Sequence, residues 1–148
     1  MSLKSDLEIL REARALLEKS YVRWTVDDDH GGHCALGCFN IASGLYVGTF
    51  PSTDAWRIIE DSAKRLHPEL VGKWRPRNIQ STYDEFDEAP AVFVNNQLGK
   101  EAILEVFNDA ILHLEMSEML ATIESEHAKI AEELLRGGCW KLEVETQP

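Results

Sequence analysis

Apolar positions recur every three to four residues along most of the chain, and glycines, prolines and paired aspartates interrupt the pattern. Leu7, Leu10, Leu17 and Tyr21 fall at helical spacing, with Arg11, Glu12, Glu18 and Lys19 left for solvent. Ser5-Asp6-Leu7-Glu8 has the S-x-x-E form in which a serine oxygen and a glutamate each satisfy an orphan backbone N–H, so a helix is predicted over about 5–20. The D-D-D-H-G-G that follows, at 27–32, favours a turn. From Cys34 the run C-A-L-G-C-F-N-I-A-S is too apolar for a surface element, and Gly44 supplies a C-cap, which predicts a short buried helix over 34–43. Ala35 and Gly37 are small enough there to let a neighbouring helix approach closely. L-Y-V-G-T-F-P at 45–51 fits a brief strand or a linker. Thr53-Asp54 then caps a helix carrying Ala55, Trp56, Ile59, Ala63 and Leu66 on one face, and it stops at His67 because Pro68 disfavours helical geometry in the residue before it.

Pro68, Gly72, Pro76 and Pro90 mark a long loop at about 68–90. A short apolar patch, Ala91 to Val94, leads to Asn95-Asn96, and Gly99-Lys100 opens the longest periodic segment. Ile103, Val106, Phe107, Ala110, Ile111 and Leu114 form one stripe; Met119, Leu120, Ile123, Ile130 and Leu134 carry a second, up to Gly137-Gly138. One long helix fits, as do two with a break near Ser117. The tail C-W-K-L-E-V-E-T alternates Trp140, Leu142 and Val144 against polar residues, a short strand signal. The pattern therefore predicts a mainly α fold: a compact single-domain helical bundle in which helices at 5–20, 34–43, 53–67 and 100–114 share a core. Residues 1–115 form that core domain, and 116–148 are an acidic helix and tail packed on the same domain or on a partner.

Composition narrows the class of protein. A chain of 148 residues suits one domain, and 44% hydrophobic with 28% charged residues excludes wholesale disorder. Nothing approaches the ~20 apolar residues that a membrane span needs, and the charged N-terminus does not resemble a secretory signal. A cytoplasmic protein without membrane association is expected, and Cys34, Cys38 and Cys139 fit reduced thiols better than a disulfide framework. The net charge of -11 is uneven: residues 101–148 hold eleven acids against three bases, whereas 1–100 hold fifteen against twelve. Such a surface repels phosphate backbones, so a nucleic-acid partner is not expected. Lys64, Arg65, Lys73, Arg75 and Arg77 around Trp74 read as a surface loop facing the acidic D-E-F-D-E at 84–88.

The densest chemistry lies at V-D-D-D-H-G-G-H-C-A-L-G-C, residues 26–38. His30, His33, Cys34 and Cys38 are ligand types that zinc favours, yet zinc motifs usually draw ligand pairs from separated segments, whereas these share one turn and one helix. Against that stands the reading of both cysteines as small apolar core residues. Alternatively, Cys34 is a nucleophile activated by the positive end of a helix, with His33, His67 or His113 as base, which would make the protein a cysteine-dependent hydrolase. Glu124 and His127 form a single E-x-x-H, the spacing of di-iron bundles, but such sites need a second copy, so a solvated face is the simpler account. No phosphate loop, H-E-x-x-H or G-x-S-x-G occurs, and no cofactor is expected. The stripe of Met119, Ile123, Ile130 and Leu134 is the candidate surface for self-association or for docking a protein partner. A non-enzymatic interaction protein leads, with the hydrolase and an acidic nucleic-acid-mimic inhibitor as alternatives.

Three blocks in order, L-R-E-A-R-A-L-L-E at 10–18, H-C-A-L-G at 33–37 and V-N-N-Q-L-G-K-E-A-I-L-E-V-F-N-D-A-I at 94–111, resemble a family of small bacterial and phage proteins known as a domain of unknown function. Relatives tend to show C-A-L-G-A-L at the second block and W-N-D at the third. Cys38 stands here where they tend to have alanine, and Val94 and Asn96 replace the tryptophan and aspartate of W-N-D. The resemblance implies a compact, mainly helical fold with Cys34 and Gly37 on a buried helix and Asn95 fixing a turn. It supplies no reaction.

Overall fold

Ser5 starts the first helix as its sequence requires: the Ser5 Oγ accepts from the Glu8 N–H at 3.1 Å, and α1 runs Asp6–Ser20. The structure is a computed structural model and describes residues 3–22, 32–70 and 89–137. Leu10, Ala13 and Leu17 form the buried face of α1, while Leu7 and Tyr21 are only half-buried. Tyr21 and His33 then meet in an isolated parallel bridge, with Val22 N–H donating to the His33 carbonyl and His33 N–H to that of Ser20, both at 2.8 Å. That bridge sets the end of α1 beside the residues that lead into α2; the D-D-D-H-G-G stretch lies outside the described residues.

Helix α2 is Ala35–Ser43, with Cys34 outside it as the N-cap. Gly44 ends it at φ 75°, a left-handed conformation that costs glycine little, and the Leu45 N–H reaches back to the Asn40 carbonyl at 2.8 Å while Gly44 N–H donates to that of Ile41. The segment 45–51 is a linker with a turn at 46–49 and no strand: the Asn40 side-chain amide donates to the carbonyls of Val47 (2.9 Å) and Thr49 (2.7 Å) and so folds it onto α2. Thr53 caps α3, Asp54–Leu66, whose inner face is Ala55, Trp56, Ile59, Ser62 and Ala63. Leu66, expected on that face, is more than a third exposed, and Ser62 is buried instead. The buried Ser62 Oγ is satisfied by the Arg65 guanidinium at 2.9 Å. A short 3-10 turn, Pro68–Leu70, follows.

The apolar patch at 91–94 is helical. Pro90 sits in the first turn of α4, Pro90–Phe93, where its missing N–H costs nothing, and the chain continues into a π-helical turn, Val94–Leu98, closed by Gly99 N–H on the Val94 carbonyl at 3.1 Å. Helix α5 is then unbroken from Lys100 to Gly137; no break occurs at Ser117. Ile103, Val106, Phe107 and Ala110 of α5 join Leu10, Leu17, Phe39, Trp56, Ile59, Phe93 and Val94 in one core. Phe39 and Trp56 meet edge to face with centroids 5.0 Å apart. Arg65 binds Asp109 on α5, with Nε donating at 3.1 Å; the acidic 84–88 segment it was expected to face lies outside the described residues.

The fold is thus mainly α, and among the described residues there is no strand and no helix long and apolar enough to cross a membrane. By internal packing the chain divides into two units, Met1–Leu114 and Glu115–Pro148. His30, the alternating tail at 140–144 and most of the basic 64–77 segment lie outside the described residues.

Candidate functional site

Cys34 stands at the start of α2, where the helix was expected to lower its thiol pKa, yet it is 8% exposed and burial raises the pKa instead. The N–H groups of Gly37 and Leu36 oppose this without reversing it. Cys38, one turn later, is fully buried; its Sγ donates to the His33 carbonyl at 3.8 Å, and burial, with Cys34 beside it, pushes its thiol up to about 12. Thiols held protonated in a core are poor nucleophiles and poor ligands. Their bases are engaged elsewhere: the His67 imidazole faces Glu69 at 3.5 Å, and that of His113 faces Asp109 at 3.6 Å. His33 precedes Cys34 in the bridge to Tyr21. Among the described residues no group of three His, Cys, Asp or Glu side chains converges as metal ligands, Glu124 and His127 included.

Cys34 leaves its own helix uncapped, because its side chain makes no capping hydrogen bond. The cap arrives from 60 residues away: Asn95 Oδ1 accepts from the Ala35 N–H at 3.1 Å. Tyr21 Oη in turn donates to the Asn95 carbonyl at 3.0 Å. Asn95 is 2% exposed, so the π-helical turn of Val94–Leu98 has the specific effect of setting a buried amide at the N-terminus of α2. Asn95 therefore holds three elements together, where the sequence implied only a local turn.

A half-buried carboxylate was not legible in the sequence at all. Glu60, on α3, accepts from the Ala91 N–H with Oε2 at 2.7 Å and so ties α3 to the first turn of α4. Its Oε1 and the Trp56 indole N–H are both buried outside hydrogen-bonding geometry. Burial pushes the Glu60 carboxyl up to about 7, against the opposing influence of the Ala91 N–H, the nearby indole and Lys64. A cavity of about 270 Å³ adjoins it, lined in part by Phe50, Trp56, Arg57, Lys64 and Pro90. The carboxylate is spent on the helix it caps, so its chemistry here is that of a latch.

Compared with protein-family models, with curated proteins and with solved structures, the chain matches none.

The remaining candidate surface lies wholly in the second unit. Every residue from Glu115 to Gly137 is exposed. Met119 (62%), Ile123 (56%), Ile130 (54%) and Leu134 (46%) are joined on this surface by Met116 (52%) and Leu120 (56%). Met116, Leu120, Ile123, Ile130 and Leu134, with His127 in the gap, follow alternating steps of four and three residues. That is the spacing of a coiled-coil seam, with Leu120, His127 and Leu134 at a positions and Met116, Ile123 and Ile130 at d positions. Met119 borders the seam. It extends roughly 27 Å at 1.5 Å per residue.

Proposed function

We propose that the chain is a non-enzymatic interaction protein of a bacterium or phage, acting in the cytosol, which docks a protein partner through the seam on the second half of α5. One observation carries this reading: five large apolar side chains in one heptad register, interrupted at His127, each about half exposed. Scattered surface leucines are ordinary, but a contiguous apolar stripe is the mark of an interaction surface, and a helix that buries nothing gains little from amphipathicity. The first unit then serves as the scaffold at which α5 begins. Its buried thiols support a packing role for Cys34 and Cys38 in preference to hydrolysis.

The test is photocrosslinking in the native host with p-benzoylphenylalanine at Ile123 or Ile130 on the seam and at Ser125 or Glu132 on the opposite face. A discrete adduct is expected from both seam positions and none from the others, and Met116→Asp with Leu120→Asp should abolish it. Equal labelling from both faces, or from neither, refutes the reading.

A further inference from the structure

The residues that flank the seam select among its occupants. In the heptad frame set by Leu120, His127 and Leu134, the flanking e and g positions are Ser117, Met119, Glu124, Glu126, Ala131 and Glu133. Three are carboxylates and none is a base. The two bases of this stretch, Lys129 and Arg136, lie at c positions away from the seam, where Lys129 faces Glu126 at 3.6 Å and Arg136 binds Glu132. Exposed pairs one turn apart offset little of the flanking charge.

A second copy of the chain satisfies this surface in neither orientation. Antiparallel pairing about Ser125 sets Glu124 opposite Glu124 and Glu126 opposite Glu126, and like charges across a coil disfavour it. Parallel pairing places His127 against His127 within the apolar layer, and matches Met119 with Glu124 and Glu126 with Ala131, so no flanking carboxylate meets a base. Resting on the docking reading above, we infer that the seam takes an amphipathic helix of a different protein, one with lysine or arginine at the positions beside its own apolar stripe. Charge complementarity at e and g is the usual determinant of partner choice in such coils, and the polar His127 fixes register by requiring a polar residue opposite.

Two synthetic three-heptad peptides with leucine and isoleucine at the seam, one with lysine at every e and g position and the other with glutamate, are titrated into the full chain by fluorescence anisotropy. The lysine peptide should bind at least about tenfold tighter, a difference of about 1.4 kcal/mol, and weaken as salt rises. Changing Glu124, Glu126 and Glu133 to lysine should reverse the preference, and Ile123→Asp with Ile130→Asp should abolish binding. Equal affinity for the two peptides, or a seam-dependent homodimer in sedimentation of the chain alone, overturns the inferred partner while docking by the seam stands. Lysine-peptide binding that survives Ile123→Asp with Ile130→Asp is diffuse attraction and overturns it too. Failure of both peptides to bind, with crosslinking from the seam also absent, removes the docking reading itself.

Discussion

Glu60 should make the stability of the fold depend on pH in the direction opposite to that of a salt-bridged carboxylate. Its carboxyl ionises near 4.5 in an ordinary setting and at about 7 in the folded chain, because burial beside Trp56 and the start of α4 penalises the charge. The folded state thus holds a proton that the unfolded state has released wherever the pH lies between those values, and in that window stability falls as pH rises. Below about 4.5 the group is neutral in both states and carries no penalty; above about 7 the whole penalty is present. At about 1.4 kcal/mol per pH unit the window spans up to about 3 kcal/mol, reduced by the solvent that still reaches a carboxylate only partly buried. Glu60→Gln removes the titration, and subtracting its stability from that of the native chain cancels the many other acids. Urea unfolding from pH 4 to pH 8.5 should show this difference falling by about 1–3 kcal/mol as pH rises through the window. A constant offset from repacking of the amide leaves the slope untouched. A difference flat to within about 0.5 kcal/mol across the range would mean that Glu60 titrates as a surface acid, and the latch between α3 and α4 would be wrong.

Asn95→Ala, which orphans the buried Ala35 N–H at the start of α2, should cost about 1–3 kcal/mol in the same assay, and Asn95→Asp, which keeps the acceptor at a helix N-terminus, should recover part of it. With Cys139 replaced by serine, Cys34 and Cys38 should resist iodoacetamide in native buffer and react in denaturant; fast native alkylation of Cys34 would restore the hydrolase. Phe107→Ala, in the core half of α5, should cost about 3–5 kcal/mol, whereas Ile123→Ala in the exposed half should stay within about 0.5 kcal/mol, both measured by thermal unfolding of the isolated chain.

What the sequence disclosed and what it concealed divide along a physical line. Caps and periodicity are local, so Ser5, Thr53 and Gly44 placed the ends of three helices correctly before any packing was known. The helical course of 90–98 escaped because four apolar residues followed by N-N-Q are too short to display a period. Glu60 escaped for a different reason: it is flanked in sequence by Ile59 and Asp61, and nothing local shows that the N–H of Ala91 will arrive to bury it. Asn95 was read as a turn residue because its true partner is 60 positions away, and through that one hydrogen bond the H-C-A-L-G and V-N-N blocks, separate in the chain, become a single structural feature. The limit is clearest within α5. Ile103, Val106, Phe107 and Ala110 are completely buried, while Met116, Leu120, Ile123, Ile130 and Leu134, striped by the same rule, stand open. Periodicity tells which face of a helix is apolar and is silent on whether anything covers it. The exposure of the second stripe is what supports the proposed docking surface, and the carboxylates at 124, 126 and 133 are what give the proposed partner its charge.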